Sequence, residues 1–257
     1  MISRQEVKDP KKRILTACVR MFIERGFKQT TMMDIIKEAD VSAGTFQNAF
    51  RTKDGVLSAL VEYMFDNQFA MARSALNGND GVTVYAVETA MQLAITEYNE
   101  NLREIYVEAY TQSDICEYIC RKTAQENAKF FRTYNPDWTD GDFYEAELGS
   151  SGMMRSFMMR RCDMYFTLRK KTERFLRMAF DVYHVPTDVA EKAVQKVAAI
   201  DVNSAVDAVM KKLFAMLEMT FDFKFATTRF GRLAASKQHW KNDKIFRGKH
   251  ENQILSL

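Results

Sequence analysis

The sequence predicts an all-α protein: a small N-terminal three-helix unit followed by a larger C-terminal helical bundle. Three observations predict it. Only Pro10, Pro136 and Pro186 interrupt the chain of 257 residues. Between them apolar residues recur three and four apart, the spacing of one helix face. Strand-like alternation of useful length is absent, so the layers are helix on helix. Hydrophobic residues make up 47% of the chain, enough to fill a core for one small and one larger domain.

The first helix starts at Asp9-Pro10. Asp9 is a capping residue, and Pro10 sits where its missing N–H costs nothing. Ile14, Cys18 and Phe22 fall four apart, and Gly26 is placed to end the helix. A second helix follows Thr30-Thr31, with Thr31 and Asp34 at capping-box spacing and Ile35, Ile36 and Ala39 on its buried side. Ser42 caps a short third helix that runs through Phe50. Thr52-Lys53-Asp54 opens a fourth, over 53–76, with Leu57, Leu60, Val61 and Met64 in one stripe.

The turn cluster Asn77-Gly78-Asn79-Asp80-Gly81 marks a domain junction. The division is therefore 1–55 and 77–257, with the fourth helix joining them. Helical segments are expected at 82–98, 101–112 and 113–133. Residues 134–152 hold a proline and three glycines and read as a long loop. A long helix is expected over 153–183, then others at 188–200 and 203–225. The segment after 226 is polar and basic.

Net charge is only +3, but it is unevenly spread. Residues 1–55 carry 11 Lys/Arg against 7 Asp/Glu; residues 82–126 carry 3 against 8. A basic end suits phosphate contact, and a mildly basic solvated surface reads the same way. The first residues contain no apolar stretch of the signal-peptide kind. No apolar run approaches the roughly 18 residues of a membrane span. The four cysteines include two helix-core positions, Cys18 and Cys162, and a pair four apart, Cys116 and Cys120. With only His184, His239 and His250 in the chain, no zinc site is expected. The expected setting is cytoplasmic, without cofactor or metal.

Two short helices joined by a four-residue turn, Ala39 to Ser42, form a helix-turn-helix pattern. In such a unit the second helix enters the major groove. Phe46 and Phe50, four apart, would hold it from behind. That leaves Ala43, Gly44, Thr45, Gln47 and Asn48 for the groove. Gln and Asn make paired hydrogen bonds to adenine, and Thr reaches a phosphate or a thymine methyl. Thr31, Ser42 and Lys53 stand at helix starts, where backbone N–H groups also favour phosphate.

The run KKRILTACVRMFIERGFKQTTMMDIIKEADVSAGTFQNAFRTKDGVLSALVEYM closely resembles the N-terminal domain of TetR-family regulators. The resemblance is carried by Ile14-Leu15, Ala17, Phe22, Arg25-Gly26-Phe27, Thr30-Thr31, Asp34-Ile35, Val41-Ser42, Gly44-Thr45-Phe46, Phe50, Lys53 and Leu57. It covers about a fifth of the chain and implies a TetR-like fold. Three positions depart from the family pattern. Ala43 stands where Lys or a similar polar residue is frequent. Gln47 stands where Tyr is usual, and Asn48-Ala49 where an aromatic or His is usual.

The resemblance implies double-stranded DNA as partner, a homodimer built from the last two long helices, and an unknown small-molecule effector. Val206, Met210, Leu213, Leu217 and Phe221 are the candidate dimer-interface residues. The Met- and aromatic-rich stretch after 153 suits an adaptable apolar pocket or an ordinary core. Tyr106, Tyr110, Phe131, Met158 and Tyr165 are the candidate pocket residues. The arginines of 153–183 would pair with acidic groups such as Glu104 and Glu108, or one would hold an anionic effector. The leading expectation is a ligand-responsive repressor at a near-palindromic operator. The alternative is an interaction module of the same fold with weak or lost DNA binding. No phosphate-cradling Gly-rich loop, HExxH or serine elbow occurs, so an enzyme is not expected.

Overall fold

The computed structural model describes residues 9–74 and 80–216. In order these form α1 (Pro10–Arg25), α2 (Met32–Glu38), α3 (Ala43–Phe50), α4 (Lys53–Ser74), α5 (Gly81–Tyr98), α6 (Glu100–Ala109), α7 (Ser113–Phe131), α8 (Asp140–Met159), α9 (Leu168–Val182), α10 (Thr187–Ala199) and α11 (Val202–Met216). A 3-10 turn, Arg132–Tyr134, follows α7. The described residues contain no strand.

Local capping explains why the first helices start where they do. The Asp9 carboxylate accepts from Lys11 N at 2.9 Å, with Pro10 at the first helical position. Gly26 ends α1 at φ 94°, ψ 156°. That φ is positive as expected, but the ψ is extended rather than left-handed helical, so the chain leaves α1 without a further turn. The apolar stripe of α1 is buried at Ile14, Cys18 and Phe22, against α2, α3 and α6.

Helix α5 is the axis of the C-terminal bundle. Every residue from Val82 to Thr96 is buried. It packs against α4, α6, α7, α9, α10 and α11. A helix buried along its whole length has to be surrounded. Beside it lies an aromatic core: the rings of Phe131 and Tyr183 stack at 4.6 Å, and Tyr85 meets Phe131 edge-on at 5.2 Å.

Two expectations about segments are corrected. Most of the loop expected over 134–152 is helix, because Thr139 and Asp142 make a reciprocal capping box that starts α8. Gly149 and Gly152 are within the helix and a Cβ there would meet nothing. Each glycine costs roughly 1 kcal/mol in a helix, which the burial of Phe143, Met154 and Met158 outweighs. The single helix expected over 153–183 is two, α8 and α9. Between them Asp163 accepts from Tyr165 N and Phe166 N, each at 2.8 Å, and Thr167 caps α9 through Lys170 N. These local bonds compete with helix continuation.

The dimer-interface expectation also changes. Val206 is fully buried and Met210 nearly so, and α11 packs on α5. The central helix of the same chain already takes the face that carries them. The Leu213 side chain, Leu217 and Phe221 lie outside the described residues, as do Lys8 and the basic segment after 226. No described helix is long and apolar enough to cross a membrane.

Candidate DNA-reading helix and the cavity behind it

Helix α3 is set by three groups. Ser42 Oγ accepts from Thr45 N at 3.0 Å and bonds Thr45 Oγ1 at 2.8 Å. Phe46 is completely buried, and the half-buried Phe50 ring lies 6.5 Å from it. The opposite face leaves Ala43, Gly44, Gln47 and Asn48 exposed and Thr45 half-exposed. A Cβ on Gly44 would meet only Ser42 Oγ, at 3.8 Å. The helix therefore shows two amide side chains beside a small-residue surface that a duplex can approach closely.

The turn before α3 needs a residue that sequence reading passed over. Asp40 has φ 49°, a left-handed conformation that Asp tolerates better than most residues. Arg13 of α1 fastens it: the guanidinium donates to the Asp40 carbonyl and lies 3.1 Å from its carboxylate. The signal was an Asp in the turn of a helix-turn-helix pattern; its partner 27 residues away had none.

Thr31 caps α2 in a full capping box with Asp34. Thr31 N donates to Asp34 Oδ2 at 3.0 Å, and Asp34 N donates to Thr31 Oγ1 at 3.2 Å. The hydroxyl also donates to the carboxylate at 2.6 Å and holds the Asp34 carboxyl below its ordinary range. Thr31 is exposed.

Lys53 is placed differently from the expectation that it reaches a phosphate. Its ammonium donates to Phe27 O at 2.8 Å and Thr30 O at 3.0 Å, and lies 4.1 Å from the Phe27 ring centre. Two of its three donors tie the start of α4 to the α1–α2 loop.

Helix α6 holds the end of α1 and the loop after it from the other side. Phe27 N donates to Glu104 Oε2 at 3.0 Å, and Asn101 Nδ2 donates to Ile23 O at 2.8 Å. A Cβ on Gly26 would come within 2.6 Å of the Glu104 carboxylate, so this close approach needs glycine. Near the other end of α6, Gln112 Nε2 donates to Asp54 Oδ1 of α4 at 3.0 Å.

Behind these contacts, α4, α5, α6 and α7 enclose a mostly apolar cavity of about 40 Å³. Tyr106 and Tyr110 line it, with Met64, Phe65, Gln92 and Ile105 among the other walls. The remaining candidate pocket residues lie elsewhere. Phe131 belongs to the closed aromatic core, and Met158 is fully buried away from the cavity lining. Tyr165 is 77% exposed, because the break between α8 and α9 turns it outward.

A polar seam lies inside the bundle. Gln92 donates to Glu88, one turn earlier on α5, and Tyr110 OH donates to Gln92 Oε1 at 3.3 Å. Glu147 of α8 accepts from Tyr183 OH at 2.7 Å and Asn127 Nδ2 at 3.1 Å. Both carboxylates are buried. Burial pushes the Glu147 carboxyl up to about 8, its bond from Tyr183 opposes this, and the nearby Glu88 adds to it. Burial also raises the Tyr106 and Tyr110 phenols.

The basic 153–183 stretch meets the acidic helices at 82–126 through Glu97 and Glu100 rather than Glu104 and Glu108. Glu97 binds Arg103 at 3.0 Å and Lys171 at 2.5 Å, while Glu100 binds Arg103 at 2.6 Å and Arg161 at 2.5 Å. Cys18 is buried and Cys162 half-buried. The Cys116 and Cys120 sulfurs lie 4.0 Å apart, and among the described residues no three His, Cys, Asp or Glu side chains converge as metal ligands do.

This geometry defines a helix-turn-helix unit of the kind that reads DNA. Residues 14–60 match the family profile described as bacterial regulatory proteins, tetR family. Over these residues the chain is similar to the TetR family of regulators. Among similar proteins are several of Bacillus subtilis (strain 168) described as uncharacterized HTH-type transcriptional regulators. YuxN is 26% identical over 98 residues, 38% of this chain and 32% of its own length. YerO is 34% identical over 55 residues, 21% of this chain and 19% of its own. The matched regions thus span about a third or less of these two relatives. A crystal structure of RolR in complex with resorcinol shares the fold, with a TM-score of 0.54 and 16% identity, covering 75% of this chain and 95% of that one.

Proposed function

We propose that this protein is a ligand-responsive transcriptional repressor that binds a near-palindromic duplex as a homodimer. The observation that carries the reading is α3 itself: a capped helix, backed by Phe46, that turns Gln47 and Asn48 to solvent beside Gly44. Each amide can make a bidentate pair with adenine, and Thr31, Ser42 and Thr45 stand at helix starts where phosphates bind. The residues up to α3 serve as the reading unit and the bundle from α5 onward as sensor and dimerisation unit, with α4 between them. A two-fold dimer presents two copies of α3 to successive major grooves.

The route for a signal runs through α6. One side of that helix lines the cavity, while Asn101 holds the end of α1 and Glu104 the loop after it. A ligand that wedges α6 away from α4 favours a form whose reading helices are wrongly spaced, and so shifts the population off DNA.

Gel-shift titration of the full chain against the duplex upstream of its own gene tests this. Specific binding that weakens with salt is expected, and Gln47→Ala is expected to reduce affinity about tenfold, the value of one base contact. No specific shift at any salt would sink the reading.

A further inference from the structure

We propose that Cys116 and Cys120 of α7 form a two-thiolate site for a soft, thiophilic metal ion such as Cu(I). The site goes beyond the regulator reading and does not depend on it.

Geometry comes first. The two residues are one helix turn apart, and their sulfurs lie 4.0 Å from each other. Both are free thiols. A thiolate–metal bond of the zinc type is about 2.3 Å long, so one ion reaches both sulfurs at a bond angle of roughly 120° with no change in the helix. A disulfide does not fit the same pair. Its sulfurs stand about 2.0 Å apart and its Cβ atoms about 3.5–4.5 Å. Residues four apart on a helix keep their Cβ atoms about 5–6 Å apart, so closing that bond would distort α7. The pair is spaced for a bridging ion rather than for oxidation.

Donor type decides the ion. Among the described residues no third His, Cys, Asp or Glu side chain joins the pair. Zinc takes three or four protein ligands, so it is poorly served here. Cu(I) accepts fewer ligands, and thiolate is the donor that selects it. Cys116 is half-exposed and gives the ion a way in; Cys120 is buried, and its thiol donates to Ser151 Oγ at 3.3 Å. Burial pushes the Cys120 thiol up to about 12, so the empty pair stays protonated and unreactive, and a tightly held cation is needed to displace that proton. Binding is an exchange: both S–H bonds break, two S–Cu bonds form, two protons leave to solvent, and no electron moves.

The position gives the site a bearing on the rest of the molecule. Tyr118 and Ile119 stand between the two cysteines. Tyr118 meets Phe65 of α4 edge-on at 6.3 Å, and Ile119 lines the cavity. A bound ion ties together the turn of α7 that packs on α4.

Cu(I) titrated without oxygen into the reduced full chain, against a coloured Cu(I) chelator, tests the site; native mass spectrometry counts the ions and thermal unfolding is read alongside. One ion per chain and a higher melting temperature are expected. Zinc is expected to give neither. Cys116→Ser is expected to lose about 100-fold or more in affinity, because even a group that only supports a metal ligand is worth roughly 10–100-fold. Cys162→Ser changes the other half-buried cysteine and is expected to bind as wild type. X-ray absorption of the wild-type complex is expected to show sulfur neighbours and no nitrogen, which reads the ligand set even if Cys116→Ser does not fold. No retained copper, copper held equally well by folded Cys116→Ser, nitrogen in the ligand set, or zinc bound as tightly as copper would overturn the proposal.

Discussion

Helix α3 and helix α5 use the same kinds of polar residue in opposite ways. In α3, Gln47 and Asn48 face water, and the helix is held by two rings behind, Phe46 and Phe50, and one serine at its start. In α5, Glu88, Thr89 and Gln92 are inside, and packing holds the helix on all sides. The outward polar groups of α3 contribute little to folding and are free to be spent on a partner. The inward groups of α5 must find partners within the bundle, because an unmet buried polar group costs roughly 1–3 kcal/mol. A surface helix is thus free to vary with its target, whereas a core helix carries polar groups only at a cost, and that cost marks a place where chemistry is done.

The comparison breaks most sharply at Phe46. Phe46→Ala removes the one ring of α3 that is completely buried and is expected to cost about 3–5 kcal/mol, read by chemical denaturation, with duplex binding lost alongside. If stability stays within about 1 kcal/mol, α3 is not anchored as described.

Next in size is Glu147, with Tyr183, Glu88 and Tyr110 as its titratable neighbours. Its folded carboxyl is raised to about 8, from about 4.5 when solvated, so the folded state holds the proton more tightly. Stability from this group is complete below pH 4.5 and is lost as pH rises towards 8 and beyond. Glu147→Gln removes that dependence. Its melting temperature is expected to match wild type near pH 5 and to exceed it by several degrees at pH 8.5, a difference on the order of a few kcal/mol. Parallel pH profiles for the two proteins would show that Glu147 is ionised at neutral pH.

The smallest effect is expected at Thr31. Thr31→Ala breaks the capping box with Asp34 and should cost about 1 kcal/mol of stability. Asp34 then loses the hydroxyl bond that does most to hold its carboxyl low, so its titration by NMR moves upward towards the ordinary range. An unchanged Asp34 titration would show that the box does not persist in solution.

Much of the reading unit was legible in the sequence because its signals are local. Asp9, Thr31 and Ser42 cap helices within three residues of themselves, and Phe46 declares its face by helical period. Glycine misled in the opposite direction: Gly149 and Gly152 suggested a loop, but the Thr139–Asp142 box had already started a helix that packing could sustain. Tyr106 and Tyr110 line the cavity, while Tyr165 is turned outward by a helix break whose cause, Asp163, looks like any surface acid in the sequence.

The sequence by itself determined where most helices begin, which face of each is apolar, and which residues stand outward on α3. These follow from backbone capping and a period of 3.6 residues, which act within a few positions. Only the tertiary structure decided that Lys53 braces a loop, that Val206 is buried on a helix packed against α5, and that Tyr183 and Asn127 meet Glu147. Those pairings join residues far apart in the chain, and a side chain's partner across a core is set by how helices cross, which no local pattern records.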